Sequence, residues 1–192
     1  MKLYRIAKSR HIADLTGEDA RVYGSRWNEK GIPLIYASES LSLAALEFLA
    51  HMPMALAPPD LRYRGFDIPE DMKFKRIPES ALPGDWDAMP CRDGTVKIGS
   101  AWARSGKTLL LRVPSVIVPG EYNFLINPQH ADFAKIKAGR ALPFRFDERV
   151  LGRRSVAAST PPPPPSQRRT PSREARRPFP PRRGNPRTPG RR

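Results

Sequence analysis

Cysteine occurs once in this chain of 192 residues, at Cys91, so no intrachain disulfide can form. Histidine occurs three times, at His11, His51 and His130, and none stands at metal-ligand spacing from another or from Cys91. A zinc centre is therefore not expected, and no metal is assigned. No apolar run approaches the roughly 18 residues of a membrane helix. Met1 to Ile12 mixes Lys2, Arg5, Lys8 and Arg10 with short apolar pieces, unlike the apolar centre of a secretory leader. These absences lead us to expect a soluble, cytoplasmic protein.

Charge is unevenly spread. Of the net +15, residues 152–192 supply +11, and they also hold 11 of the 23 prolines. Their hydrophobic residues are Val156, Ala157, Ala158, Ala175 and Phe179. So few cannot offset the entropy of ordering forty residues, and a disordered tail is expected from 151 to 192. Every cation in it is arginine, interspersed with Pro, Gly, Ser and Ala. That text could neutralise phosphates on nucleic acid, but it better suits an accidental or dispensable extension, such as a reading frame shifted through GC-rich DNA. Residues 1–150 then form one ordinary domain.

Within it, Leu3–Ala7 reads as a strand and Ser9–Ala20 as loop with room for a helical turn. Val22–Tyr23 and Arg26–Trp27 read as extended, with a turn over Asn28–Gly31 and a strand over Pro33–Ala37. Ser38 or Ser40 can cap a helix that runs to His51 and is stopped by Pro53. Leu41, Leu43, Leu46, Phe48 and Leu49 surround most of that helix, which predicts that it is largely buried. Ser40, Ala44, Glu47 and His51 form one small, polar stripe along it. Leu61–Ile68 reads as strand and 69–106 as loop. Thr108–Val113 and Val116–Val118 read as central strands, Asn127 as the cap of a short helix over Ala131–Lys137, and Phe144–Phe146 as a last strand. Helices and strands do not alternate regularly, so the fold class is α+β rather than repeated βαβ units.

Gly24-Ser25-Arg26-Trp27-Asn28, then Tyr36, then Glu47 put a guanidinium, an aromatic ring and a carboxylate on three successive elements. Such a set can assemble a pocket for an anionic, ring-bearing ligand, and a nucleotide fits that description. Each residue also has a plainer use. Glu47 can pair with a base at the core edge, Arg26 can be a surface charge, and Trp27 and Tyr36 can be core rings. Ala101–Thr108 imitates a phosphate-binding loop, but Ala101 stands where Gly is needed and Thr108 leads toward a strand.

Taken together, Leu3-Tyr4-Arg5, Gly24–Asn28 with Gly31, Ile35–Ser38, Ala44–Glu47, Leu111–Ser115 and Asn123–Pro128 with His130 resemble the RES-domain toxins of bacterial toxin–antitoxin modules. The resemblance covers residues 1 to about 149. It implies a mixed β-sheet core like that of ADP-ribosyltransferases and the consumption of NAD, as substrate rather than cofactor, by cleavage of the nicotinamide–ribose bond. On that resemblance Glu47 stabilises the cationic ribose or accepts from a ribose hydroxyl, and Arg26 holds the pyrophosphate with help from Arg5. Tyr36 stacks on nicotinamide and Ser115 orients the ribose or amide. Asn123, Asn127 and His130 match the family, and serve equally as structural caps. An Xre-type helix-turn-helix antitoxin is the implied partner. Transfer of ADP-ribose to a macromolecule, or nucleic-acid binding through the basic tail, are the competing readings.

Overall fold

Alternation of large apolar residues with polar ones organises the described part of the chain, residues 1–51 and 58–151 of a computed structural model, into one mixed sheet. Its strands are β1 (Lys2–Lys8), β2 (Ile35–Ser38), β3 (Leu61–Asp67), β4 (Phe74–Arg76), β5 (Leu110–Pro114), β6 (Tyr122–Ile126), β7 (Lys137–Ala138) and β8 (Leu142–Pro143). They lie in the order β4-β5-β6-β2-β1-β3-β7, with β8 also paired to β3. Only the β4–β5 pair is parallel. Among the described residues three α-helices accompany the sheet: α1 (Glu18–Tyr23), α2 (Leu41–Ala50) and α3 (Asp93–Ser105). The expected α+β class is what forms.

The period of two along each strand splits the core in two. One face carries Leu3, Ile35, Ala37, Phe66, Leu110, Phe124 and Ile126, covered by Leu15, Met72 and Ile136 from irregular segments and by Phe133 from a short 3₁₀ turn. The other carries Leu111, Val113, Leu125 and Tyr36, packed with Trp27, Ala20 of α1 and Trp102 of α3. Register fixes which residues share a face: Leu3 opposes Phe66, Arg5 opposes Arg64, and Ser38 opposes both Tyr4 and Asn123. Tyr4, Ile6 and Lys8 therefore stand on the same face as Tyr36, Ser38 and Asn123.

Helix α2 begins where expected. Ser40 is its cap, and its Oγ accepts from the Leu43 N–H at 3.0 Å. Burial is one-sided, however: Leu43 and Ala44 are buried while Leu46 is 44% exposed. The expectation of a largely buried helix therefore overstated its coverage. Pro53, expected to stop the helix, lies outside the described residues, as does the tail beyond Leu151.

Five expectations fail for local reasons. Residues 18–23 are helical rather than loop and extended. Glu18 and Asp19 sit in the first turn and Arg21 binds Glu18 one turn away, so charge rather than an apolar stripe supports this helix. The region 69–106, read as loop, contains β4 and the thirteen-residue α3. The buried face of α3 is Thr95, Gly99, Ser100 and Trp102, mostly small residues. Gly99 is there because the chain approaches closely: a Cβ at this position would lie 2.0 Å from the Trp27 carbonyl oxygen. Val116–Val118 is a turn rather than a strand. Ser115 Oγ accepts from the N–H groups of both Ile117 and Val118 at 3.1 Å, diverting the backbone before it returns as β6. The segment Ala131–Lys135 is a 3₁₀ helix capped by His130, whose Nδ1 accepts from Asp132 N–H, not an α-helix capped by Asn127. Phe144–Phe146 is not a strand; its rings pack on Tyr63 and on Phe48 of α2.

Candidate active site

Between α2 and the sheet face bearing Tyr36 lies a cavity of about 490 Å³, within the range usual for small-molecule sites. The helix contributes the stripe Ala44, Glu47 and His51, with Phe48 beside it. The sheet contributes Tyr4, Ile6 and Lys8 from β1, Tyr36 and Ser38 from β2, and Asn123 from β6, while Ser25 comes from the segment after α1. The polar stripe on α2 thus faces a ligand-sized space.

Glu47 is the hub of its polar wall. Its Oε1 accepts from Ser115 Oγ at 2.7 Å and from Asn123 Nδ2 at 2.5 Å. Asn123 is oriented in turn by Ser38, whose hydroxyl donates to Asn123 Oδ1 at 2.6 Å. Ser115 has its oxygen filled by two backbone N–H groups, so its single proton goes to the carboxylate. All donors converge on Oε1. Among the described residues Oε2 has no partner, and it is not one of the buried, unsatisfied atoms, so it faces the open cavity. A carboxylate with one oxygen clamped and the other free can hold a developing positive charge or accept from a hydroxyl.

Tyr36 reaches the cavity with its ring while its hydroxyl is engaged elsewhere. It donates to Asn28 Oδ1 at 2.7 Å and accepts from the Trp27 N–H at 3.3 Å. Burial pushes the phenol above its ordinary pKa, so the hydroxyl stays protonated. Asn28, 1% exposed, also donates its amide to the carbonyls of Ala20, Glu29 and Ile32. It ties α1 to the loop that follows. Gly24 lets the chain leave α1 at φ +68°, a conformation that strains any side-chain-bearing residue.

The arginines fall elsewhere. Arg26 is not on the cavity wall: its guanidinium donates to the carbonyls of Trp86 at 2.7 Å and Ala88 at 3.1 Å, pinning the 83–90 loop. Arg5 is among the lining residues, but its guanidinium is engaged elsewhere. Alternation puts its side chain on the Leu3 face, where Nη1 donates to the Asp14 carbonyl beside Leu15. Burial pulls that guanidinium below its ordinary pKa; Asp14 and Asp19 oppose the shift and Arg64 across the ladder adds to it. Ser115 is 4% exposed and touches Glu47 rather than the cavity. Asn127 is likewise spent, donating to the Ala103 carbonyl and accepting from Gln129 N–H. Ala101–Ser105 belongs to α3 and Thr108 leads into β5, so the phosphate-loop imitation is set aside.

Of the six site candidates besides Glu47, Tyr36 and Asn123 come to the cavity by their side chains. Ser38, Tyr4, Lys8 and Ser25 were overlooked. Their signal was present as the alternation Tyr4, Ile6, Lys8 on β1, which becomes legible only once β1 is known to lie beside β2.

The model of the RES domain matches residues 2–147. The chain belongs to the RES domain family. This RES domain is 38% identical over 149 residues to the Prs ADP-ribosylating toxin of Sphingobium sp. strain YBL2, covering 76% of this chain and 91% of that protein. It is 38% identical over 152 residues to Toxin Res of Yersinia enterocolitica, covering 78% and 99%. Its fold is similar to a chain in the M. tuberculosis MbcT–MbcA toxin–antitoxin complex, with a TM-score of 0.61 at 18% identity, covering 79% and 86%. Among the described residues no helix is long and apolar enough to cross a membrane, and no three His, Cys, Asp or Glu side chains gather as a metal site.

Proposed function

We propose that this RES domain is the toxin of a toxin–antitoxin pair and that it consumes NAD by cleaving the bond between nicotinamide and ribose. The observation that carries the chemistry is Glu47, with Oε1 held by Ser115 and Asn123 and Oε2 open to the cavity. As the C–N bond lengthens, nicotinamide takes the bonding pair and leaves neutral, and positive charge grows on the ribose. A fixed carboxylate stabilises that charge more than it stabilises bound NAD, which lowers the barrier. Water or phosphate then attacks the anomeric carbon from the vacated side and releases its proton to solvent. The exposed face of Tyr36 offers the nicotinamide ring a stacking surface, and its protonated hydroxyl remains with Asn28.

The toxin reading rests on the named toxins to which the chain is similar, and an Xre-type helix-turn-helix antitoxin is the partner we infer. A second acceptor is favoured by one observation: a relative with 38% identity is named an ADP-ribosylating toxin. The same Glu47 chemistry then delivers ADP-ribose to a macromolecule. Purified protein incubated with NAD, with and without phosphate and with cell extract, distinguishes these by mass spectrometry of products. Free ADP-ribose indicates water, ADP-ribose 1″-phosphate indicates phosphate, and a mass increment on protein or nucleic acid indicates transfer. Intact NAD in all three overturns the reading.

A further inference from the structure

The cavity is electrically polarised along its length. Glu47 occupies one part of the wall, and His51 follows on the same stripe of α2, about 6 Å further along the axis. Lys8 ends β1 on the same sheet face as Tyr4, about 13 Å from it along the strand. Tyr4 pairs with Ser38, which belongs to the Glu47 network, so Lys8 marks the end of the cavity away from that network. Arg5, Lys8 and His51 are the cationic residue types on the wall, and Arg5 sends its guanidinium through the opposite face. Among the described residues neither Lys8 nor His51 forms an ion pair.

A dinucleotide carries its diphosphate on the ribose 5′ oxygen, across the sugar from nicotinamide. With the scissile bond at Glu47, the negative charge falls one sugar's breadth away, comparable to one turn of helix, about 5.4 Å. His51 is the residue one turn on from Glu47. At the end of α2 it also stands among carbonyls that favour a cation. Arg26, the other guanidinium near the site, turns Nη1 and Nη2 to the Trp86 and Ala88 carbonyls and is not on the cavity wall.

We infer that Lys8 and His51 hold the diphosphate of the substrate dinucleotide, an assignment that rests on reading the cavity as an NAD site. Both are binding residues, and the bond that breaks lies at Glu47, so their loss weakens binding more than turnover.

The test uses the full chain with Lys8→Met, His51→Gln and the double substitution, and Lys8→Arg as the conservative control. KM for NAD is expected to rise about tenfold for each single variant, with kcat changed less than about threefold, and Lys8→Arg is expected to recover most of the loss. Inorganic pyrophosphate is expected to compete with NAD and to weaken as an inhibitor by the same factor. A kcat loss at unchanged KM overturns the assignment, as does a rise in KM for phosphate as co-substrate while KM for NAD stays put. Should the parent leave NAD intact, calorimetric binding of pyrophosphate still decides. Binding lost in the double variant upholds the anion site while the NAD reading falls, and binding that is absent or unaltered overturns the site itself.

Discussion

At the Glu47 end of the cavity, Ser115, Asn123 and Ser38 converge so that one carboxylate oxygen is fixed and its twin is left free. Around Tyr36 the polar groups are consumed in building: the Tyr36 hydroxyl bonds to Asn28, Asn28 holds the Ala20 carbonyl, and Arg26 holds the Trp86 carbonyl, which leaves only a ring face to the cavity. Both ends use buried, hydrogen-bonded polar side chains, and both look equally functional as a string of residues. What separates them is whether an acceptor or donor remains after the scaffold has been satisfied. The first end keeps a negative oxygen for chemistry, and the second keeps shape.

The contrast breaks most severely if Glu47→Gln retains activity. Nicotinamide release is expected to fall about 100- to 1,000-fold, the cost of losing a preorganised charge at a transition state. Thermal unfolding should move little, since the amide keeps the shape. The opposite signature is expected at Asn28→Ala. That change strands buried carbonyls and the Tyr36 hydroxyl, lowering stability by about 2–4 kcal/mol in denaturant titration. An unchanged midpoint there would show that the loop is held by something else.

Ser115→Ala tests whether holding Glu47 matters to turnover. About a tenfold fall in kcat at near-constant KM is expected, because the hydroxyl orients the carboxylate and does not reach the cavity. A KM effect alone would place Ser115 on the substrate instead. Tyr36→Phe sharpens the comparison from the other side: it keeps the stacking face and costs about 1 kcal/mol of stability, whereas Tyr36→Ala removes both.

The smallest effect concerns the opposite face of the sheet. Burial acts to raise the Asp14 pKa, but bonds from Thr16 and Glu18 and the charge of Arg5 outweigh it, so the folded value lies below the ordinary one. A carboxylate depressed in this way adds stability above its unfolded pKa and loses it as pH falls through the folded pKa. Asp14→Asn should therefore flatten the pH dependence of stability below about pH 4 by less than about 1 kcal/mol, and leave NAD consumption at pH 7 unaltered. A steeper acid slope in the variant would contradict the sign.

Much of this was legible from residues alone. β1, β2, β3 and β5 follow from β-branched and aromatic runs, α2 follows from the Ser40 cap, and the Ser40, Ala44, Glu47, His51 stripe points to the helix face that meets the cavity. Misses came where a different force dominates. Small residues bury α3 because Trp27 presses its backbone against Gly99, and a hydroxyl rather than a hydrophobic pattern turns the chain at Ser115. Arg26 looked like a phosphate ligand because guanidinium suits phosphate, yet carbonyl oxygens of a loop sixty residues away claim it first.

Composition and local pattern alone determined the elements and the identity of the chemical groups: period two makes strands, a serine starts the helix, and a lone carboxylate on a polar stripe announces itself. Tertiary structure decided which of those groups remain available. Strand order set Tyr4, Ser38 and Asn123 on one face and sent the Arg5 side chain to the other, because a pleated strand turns successive side chains to opposite sides. No reading of Arg5 by itself reveals which side of the sheet will be the cavity, since that depends on where α2 packs.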